Sequence, residues 1–231
     1  MMVISCRVSA DVTFQAEFGT ELCLGDAFIE GGGDPWSASL RGLFDTFGGN
    51  AAAIARLDHH FQQLNAGPCS EFAFMGNEVS LKTPWMYVFA GGPSKTHEVV
   101  RRVLSELYSH PPGGLPGNDG GGVLSAWYVF AAVGPYPQIS GVGGLVIGSP
   151  SFRQINIRIA GGPQINISAP GAAPGRPYIH ALRLNGQDYA SPWIPWRALA
   201  AGADLKFVVG QWPNASWGNQ AGGAPPSFDG Q

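Results

Sequence analysis

The sequence predicts an α+β fold in which a mainly helical region, from about residue 50 to 138, precedes an antiparallel β-rich region from about 145 to 210. Apolar residues recur at helical spacing in the first region and at every second position in the other. Glycine and proline contribute 34 and 19 of the 231 residues, while 45% of the chain is hydrophobic. This composition indicates a globular protein with a sizeable core and many loops, because disordered chains carry far fewer apolar residues.

Three helices are predicted from apolar stripes and capping residues. The first is expected to be capped by Asn50 and to end at Gly67-Pro68. The second is expected to be capped by Ser94 or Thr96, and one face of it carries Val99, Val100, Val103, Leu104 and Leu107. The third spans Val123–Val133 and is apolar on all sides, which is typical of a buried helix.

The strands are predicted from residues that alternate between apolar and polar after Gly148. The dipeptide Asn185-Gly186 predicts a type I′ hairpin, since both residues tolerate a positive φ. The sheet should pack against the helices, because its isoleucine face needs a covering layer. The alternating isoleucines are Ile155, Ile157, Ile159, Ile165 and Ile167, and the other strand segments are Ile179–Leu184, Gln187–Ala190 and Leu205–Val209.

Charge and motif content exclude several classes of function. A net charge of −3, with 13 basic and 16 acidic residues, disfavours nucleic-acid binding. No basic amphipathic helix or long apolar stretch suggests a membrane, and no signal peptide is visible. The sequence contains no C-x-x-C pair, no P-loop and no G-x-S-x-G elbow. These absences favour chemistry by acidic and amide side chains over nucleotide, thiol or serine-hydrolase chemistry.

Acids and amides lie in glycine-rich loops close to tryptophans. Two interpretations are open: the loops form a sugar site, or their Asx side chains cap turns. Composition alone favours turn capping, and Trp127, inside an apolar helix, is predicted to be a core residue. The candidate residues are Glu30, Asp34, Asn77, Glu78, Asn118 and Asp119, with Trp36, Trp85 and Trp127 nearby.

Several blocks of sequence resemble glycoside hydrolase family 92, whose members are exo-acting α-mannosidases. The clearest block runs from Gly114-Leu115-Pro116-Gly117-Asn118-Asp119 through Ser125-Ala126-Trp127-Tyr128 to Gly134-Pro135-Tyr136-Pro137. Gly76-Asn77-Glu78-Val79-Ser80 is similar to the family's Gly-Asn-Glu-Pro-Ser segment. Further blocks, in the same order as in the family, are Gly148-Ser149-Pro150, Leu184-Asn185-Gly186, Trp193-Ile194 and Trp212-Pro213-Asn214. The resemblance covers about residues 28 to 218.

The resemblance implies a calcium-dependent, inverting α-mannosidase that acts on mannose-containing glycans within an (α/α)6 barrel. It assigns Glu30 as general acid and Asp119 as the start of the acidic pair that supplies the general base. Asn77 corresponds to a residue at the calcium site, and the substrate-binding candidates are Glu78, Trp36, Trp85 and Asn118. Glu30, Asn77 and Asp119 should therefore surround one cleft, with Trp36 or Trp85 on its wall.

The same resemblance predicts a domain organisation. Residues 1–27 are unassigned, 28–140 form part of the barrel with the catalytic region, 141–218 are the β-rich C-terminal region, and 219–231 are a tail. The chain is expected to be a C-terminal piece that lacks the family's N-terminal β-sandwich and the first half of its barrel. A missing N-terminal half is therefore an expected partner, and family members are commonly exported.

Several positions depart from the family pattern. The second acid after Gly-Asn is Gly120, the two histidines expected after Ser80 are Leu81 and Lys82, and the family's Val-Pro-His-Asp segment is absent. Three hypotheses follow: an α-mannosidase, a non-catalytic relative that binds a glycan, and an inactive gene fragment. Because an inverting enzyme needs a base to activate water, the isolated chain is predicted to release no detectable mannose from α-mannosides, even with calcium.

Overall fold

A computed structural model describes residues 40–139, 143–158, 163–220 and 223–226. The predicted general acid Glu30 and the tryptophan Trp36 lie outside these ranges. The described part of the chain folds as helices followed by strands, as predicted. It contains five α-helices: α1 Leu40–Thr46, α2 Asn50–His60, α3 Met86–Phe89, α4 Pro93–Glu106 and α5 Val123–Val133.

The predicted caps of two helices are wrong. Asn50 is the first residue of α2, and Gly49 precedes it as the cap residue. Helix α4 is capped by Gly92 rather than by Ser94 or Thr96, and Pro93 occupies its first turn. Proline suits this position because its φ is already helical and its missing N–H would have had no partner there.

Helix α5 has the predicted bounds but not the predicted burial. The residues it buries are Leu124, Trp127, Ala131 and Ala132. Val123 and Tyr128 are 41% and 39% exposed, so the helix turns one face to the surface although its sequence is apolar on all sides. No helix in the described ranges is long and apolar enough to span a membrane.

The described residues contain three 3₁₀ helices, and two of them carry residues of the candidate loops. The first, Glu78–Trp85, leads directly into α3, so the aromatic stretch is helical from Ser80 to Phe89, and most of its side chains are buried. The second, Gly120–Gly122, leads into α5. A third, Trp196–Ala198, lies between two strands of the C-terminal region.

The strands form two sheets. The smaller has the order β1-β2-β7 and the larger the order β3-β4-β8-β5-β6. The prediction of an antiparallel region needs one correction, because β4 and β8 pair in parallel. The strands are β1 Pro135–Tyr136, β2 Gly144–Ile147, β3 Gln154–Arg158, β4 Gln164–Ser168, β5 Tyr178–Leu184, β6 Gln187–Asp188, β7 Trp193–Pro195 and β8 Ala203–Gly210.

The hairpin predicted at Asn185-Gly186 is confirmed. Asn185 and Gly186 have φ values of 51° and 82° and join β5 to β6. Positive φ at both central residues defines a type I′ turn, whose twist matches that of the paired strands. The local sequence therefore determines the register of this pair.

The helical layer packs against the larger sheet through α4 and β5. The Tyr178 hydroxyl donates to the Glu98 carboxylate at 3.2 Å, and the Ile179 N–H donates to Nδ1 of the buried His97 at 3.5 Å. Ile155 and Ile157 are partly buried against the sheet core, while Ile159 lies outside the described residues. The α+β class is thus confirmed, whereas the (α/α)-barrel arrangement of the helices stays a prediction.

Candidate functional site

Two loops that the sequence singles out separately lie against each other. One contains Gly76-Asn77-Glu78 and the other runs from Pro116 to Gly122. A Cβ atom at Gly76 would lie 2.5 Å from the Pro116 carbonyl oxygen, and one at Gly117 would collide with the Gly76 carbonyl oxygen. Both glycines are therefore required because the two backbones touch.

Asn65, which follows helix α2, joins the same two loops. Its side-chain oxygen accepts a hydrogen bond from the Gly76 N–H at 2.8 Å, and its Nδ2 donates to the Pro116 carbonyl at 2.9 Å. Sequence reasoning missed this residue, since a single asparagine before Gly67-Pro68 looks like ordinary turn chemistry. Its amide offers the donor and the acceptor needed to bridge two backbone segments.

Asp119 is held at the start of helix α5. Its carboxylate accepts hydrogen bonds from the Ser125 hydroxyl and, at 3.1 Å, from the Ser125 N–H. The bond from the Ser125 hydroxyl is the largest cause that holds the pKa of Asp119 below its ordinary value, and backbone N–H groups of Ser125 and Leu124 add to it. The group is therefore a carboxylate at neutral pH whose oxygens already have donors. These contacts support the interpretation that the Asp119 side chain caps the local backbone.

Gly120, where the family carries its second acid, lies directly beside Glu78. A Cβ atom at position 120 would lie 2.8 Å from Oε1 of Glu78. Gly121 and Gly122 have φ values of 63° and 79°, which favour glycine, but no positive φ requires glycine at 120. The Glu78 side chain, which is exposed, thus reaches the point from which a side chain at 120 would start.

The structure brings the Asn77-Glu78 and Asn118-Asp119 motifs onto neighbouring loops, as the resemblance implied. Asn77 is partly buried at the start of the 3₁₀ helix, and Asn118 is exposed in its loop. Because Glu30 lies outside the described residues, the structure does not show where the third member of the predicted cleft lies. The catalytic and binding roles of these side chains remain predictions.

Trp85 does not lie on the wall of a cleft. Its side chain is fully buried and stacks on Tyr136, with ring centroids 4.6 Å apart and planes inclined by 4°. A ring packed in this way has no free face for a sugar, so its proposed substrate contact is corrected to a role in the core. The companion residue Trp36 lies outside the described ranges.

Trp127 is a core residue, as predicted. It is 2% exposed, and its Nε1–H donates to the Leu81 carbonyl at 2.8 Å. The ring of Tyr108 stacks on that of Trp127, with ring centroids 5.8 Å apart. These contacts join α5 to the 3₁₀ helix that begins at Glu78, and they fix the distance between the two motif loops.

The described residues contain no group of three or more His, Cys, Asp or Glu side chains arranged to hold a metal ion. The donors that the two loops do offer are the amide oxygens of Asn77 and Asn118 and the carboxylate of Glu78. All are hard oxygen ligands, the kind that Ca²⁺ takes in proteins, but six to eight are typical. The donors fit calcium in kind, and water or substrate hydroxyls would have to complete the shell.

Comparison with known proteins shows the family of this chain. The sequence profile described as the glycosyl hydrolase family 92 catalytic domain matches residues 33–211. The chain belongs to glycosyl hydrolase family 92. This match includes both motif loops and the strands after them.

Members of family 92 with solved structures share this fold. The GH92 alpha-mannosidase BT3965 from Bacteroides thetaiotaomicron is 28% identical, with a TM-score of 0.77 over 83% of this chain and 26% of its own. The GH92 inverting mannosidase BT2199 from the same organism is 30% identical, with a TM-score of 0.75 over 83% of this chain and 28% of its own. The fold of the described region is therefore that of the corresponding part of these enzymes.

A further relative comes from Arthroderma benhamiae. This protein, described as an uncharacterized secreted glycosidase, is 27% identical over 192 residues, which cover 80% of this chain and 23% of the relative. The present chain thus spans about a quarter of the length of the proteins it matches.

Proposed function

We propose that the protein is a family 92 glycosidase that hydrolyses α-mannosides of mannose-containing glycans with inversion, within an (α/α)6 barrel. The observation that carries this proposal is the contact between the Asn77-Glu78 and Asn118-Asp119 loops, which gathers carboxylates and amides at one point. The proposal is also supported by the matched Bacteroides proteins, which are named as alpha-mannosidases. One of them is named as an inverting mannosidase.

The chemistry of inversion assigns a role to each carboxylate. One acid protonates the leaving oxygen, and a base on the opposite face of the ring removes a proton from the attacking water. By resemblance, Glu30 is the acid. Asp119 is ionised at neutral pH, as a base must be, but the donors from Ser125 stabilise its charge and lower its basicity. We assign it the task of anchoring the loop at the start of α5, beside the substrate.

Calcium is the proposed cofactor, with Asn77 as a ligand and the neighbouring loop oxygens completing its shell together with water. A bound Ca²⁺ would contact vicinal hydroxyls of the sugar and favour a distorted ring. The chain's own contribution is to hold Asn77 and Asn118 on loops that Asn65 clamps together. Amides fixed in this way can recognise sugar hydroxyls without a large cost in ordering.

A second candidate function, a glycan-binding protein without catalysis, is favoured by one observation. Position 120 carries glycine where the family has an acid, and Asp119 is already engaged by Ser125. The amides of the two loops could still bind a mannose residue in such a protein. This alternative predicts binding that is not followed by bond cleavage.

Turnover and binding together distinguish these two functions. The purified protein is given an aryl α-mannoside with calcium or with a chelator, and the released phenol is measured. In parallel, calorimetry measures binding of mannoimidazole, the compound present in one Bacteroides complex, with its gluco-configured analogue as control. Calcium-dependent turnover supports the glycosidase, whereas selective binding without turnover supports the glycan-binding protein. Failure to turn over or bind any α-mannoside would contradict both.

A further inference from the structure

We propose that Asn65 is a positioning residue of the candidate site: it holds the Asn77-Glu78 loop and the Asn118-Asp119 loop at the separation that a bound mannose residue needs. The inference rests on the proposed function and deepens it by naming the group that keeps the two loops in register. Asn65 acts through the loops, so no contact between its own side chain and the sugar is required.

The two hydrogen bonds of the Asn65 side chain reach different parts of the sequence. Its Oδ1 accepts from the Gly76 N–H, 11 positions away, and its Nδ2 donates to the Pro116 carbonyl, 51 positions away. An asparagine that only stabilises a turn bonds to backbone groups within a few residues of itself. The bond to Pro116 is therefore a tertiary contact, and Asn65 does more than shape its own turn.

Only one orientation of the Asn65 amide fits these partners. The Gly76 N–H can only donate, so it must face the side-chain oxygen, and the Pro116 carbonyl can only accept, so it must face the side-chain NH₂ group. An amide rotated by half a turn would lose both bonds. Each polar atom of the amide thus serves one loop, and the two contacts can be removed one at a time by substitution.

The backbone that carries the Asn65 side chain is itself fixed. Asn65 pairs with Phe74 in an antiparallel bridge. Beside this bridge, the Met75 N–H donates to the Leu64 carbonyl at 3.0 Å, and both of these side chains are buried in the helical core. The amide therefore extends from a rigid segment, which is what keeps the groups of a binding site within small tolerances.

Both bonded groups lie next to candidate residues. Gly76 directly precedes Asn77, and Pro116 lies two positions before Asn118. The loops also touch through their backbones, but such contact limits only how close they come, whereas a donor and an acceptor on one rigid amide also set their direction. A displacement of about 1 Å between the groups of a site is enough to impair it. Loss of the Asn65 amide should therefore weaken ligand binding.

Two substitutions at Asn65 test this inference. Asn65→Ala removes both hydrogen bonds, while Asn65→Asp keeps an acceptor for the Gly76 N–H and has no donor for the Pro116 carbonyl at neutral pH. In both variants the loop with Asn118 is no longer held. Calorimetry with mannoimidazole at pH 7 should therefore show an affinity lowered by about 10–100-fold in each, the usual effect of removing a group that supports binding residues from behind.

Hydrogen exchange measured by mass spectrometry gives a second readout that needs no ligand. Exchange of the Gly76 amide should be faster in Asn65→Ala but not in Asn65→Asp, because only the first variant removes its acceptor. Exchange in the segment 117–122 should be faster in both. A variant that is merely less stable would exchange faster throughout the chain, so it would not produce this pattern.

Asn219→Ala is the matched control. Asn219 is an exposed asparagine whose Nδ2 donates to the Ala215 carbonyl at 2.9 Å, outside both motif loops. We expect this variant to bind mannoimidazole as the unmodified protein does and to leave exchange in the two loops unchanged.

The outcomes separate this inference from the proposed function. If the unmodified protein binds mannoimidazole and both Asn65 variants bind it equally well, Asn65 does not position the site, and the proposed function stands. Weaker binding accompanied by faster exchange throughout the chain would also overturn the inference, because Asn65 would then only stabilise the fold. If the unmodified protein itself binds no mannoimidazole, the proposed function and this inference both fail.

Discussion

Asp119, at the scale of the single residue, shows how a carboxylate in a suspected catalytic loop also stabilises the fold. Its pKa is lowered in the folded chain, first by the Ser125 hydroxyl. A carboxyl group whose folded pKa lies below its unfolded value, about 3.9, stabilises the folded state above that value. This stabilisation is lost as the pH falls through the folded pKa. Asp119 therefore contributes at neutral pH and stops contributing in strong acid.

Replacement of Asp119 tests this linkage. We expect Asp119→Asn to lower the free energy of unfolding at pH 7 and to have a smaller effect near pH 2, where protonation of the carboxyl group reduces the charge of Asp119. Urea denaturation at the two pH values measures the difference. Asp45→Asn, at an exposed position on α1, serves as the control. An equal loss at both pH values would show that the charge of Asp119 is not what stabilises the loop.

At the scale of elements, the two motif loops depend on close backbone contact. A methyl group at Gly117 would collide with the Gly76 carbonyl. We expect Gly117→Ala to cost about 1–3 kcal/mol, the usual penalty for overpacking, and to weaken mannoimidazole binding because the loops separate. Gly175→Ala is the matched control, since nothing lies within 4 Å of its added methyl. Equal free energies of unfolding for the two variants in chemical denaturation would contradict this contact between the loops.

The contact between α4 and β5 depends on a histidine that must stay neutral. His97 is fully buried, and burial is the main cause that lowers its pKa to about 3. The unfolded chain, with a histidine pKa of about 6.5, binds more protons between these values. The free energy of unfolding should therefore increase as the pH rises from about 3 to 6.5. One such proton changes this free energy by at most about 1.4 kcal/mol per pH unit.

Substitution of His97 should remove this part of the pH dependence. We expect the free energy of unfolding of His97→Gln to vary less between pH 6.5 and 4 than that of the unmodified chain. Some variation will remain, because burial also lowers the pKa of His60. The exposed His110 provides the control variant His110→Gln. If the free energy of unfolding depends on pH equally in His97→Gln and in the unmodified chain, His97 does not couple stability to pH.

At the scale of the whole molecule, the features that could be predicted are those set by local sequence. The bounds of Val123–Val133 follow from glycines on either side of an apolar run, and the hairpin follows from Asn185-Gly186. The parallel pairing of β4 with β8 could not be predicted in this way. Alternation gives the faces of a strand but not its direction relative to a partner far along the chain.

The candidate site also has features that could be predicted and features that could not. The resemblance selected the two loops, but neither the clamp by Asn65 nor the approach of Glu78 to Gly120 leaves a signal in the sequence. Both depend on contacts between segments about 40 to 50 residues apart. Trp85 was misjudged because composition alone does not separate a core indole from one that faces a sugar. The prediction that the isolated chain is inactive rested on Gly120 and on the missing half of the barrel, and turnover of an aryl α-mannoside tests it.

We propose that this family 92 protein hydrolyses α-mannosides with inversion, and the anomer of the first product tests this most directly. The purified protein is mixed with an aryl α-mannoside and calcium, and ¹H NMR follows the anomeric protons before mutarotation mixes the two forms. If hydrolysis inverts the anomeric centre, β-mannose appears first and α-mannose follows only as the sugar equilibrates. Initial release of α-mannose, or no release of mannose at all, would contradict it.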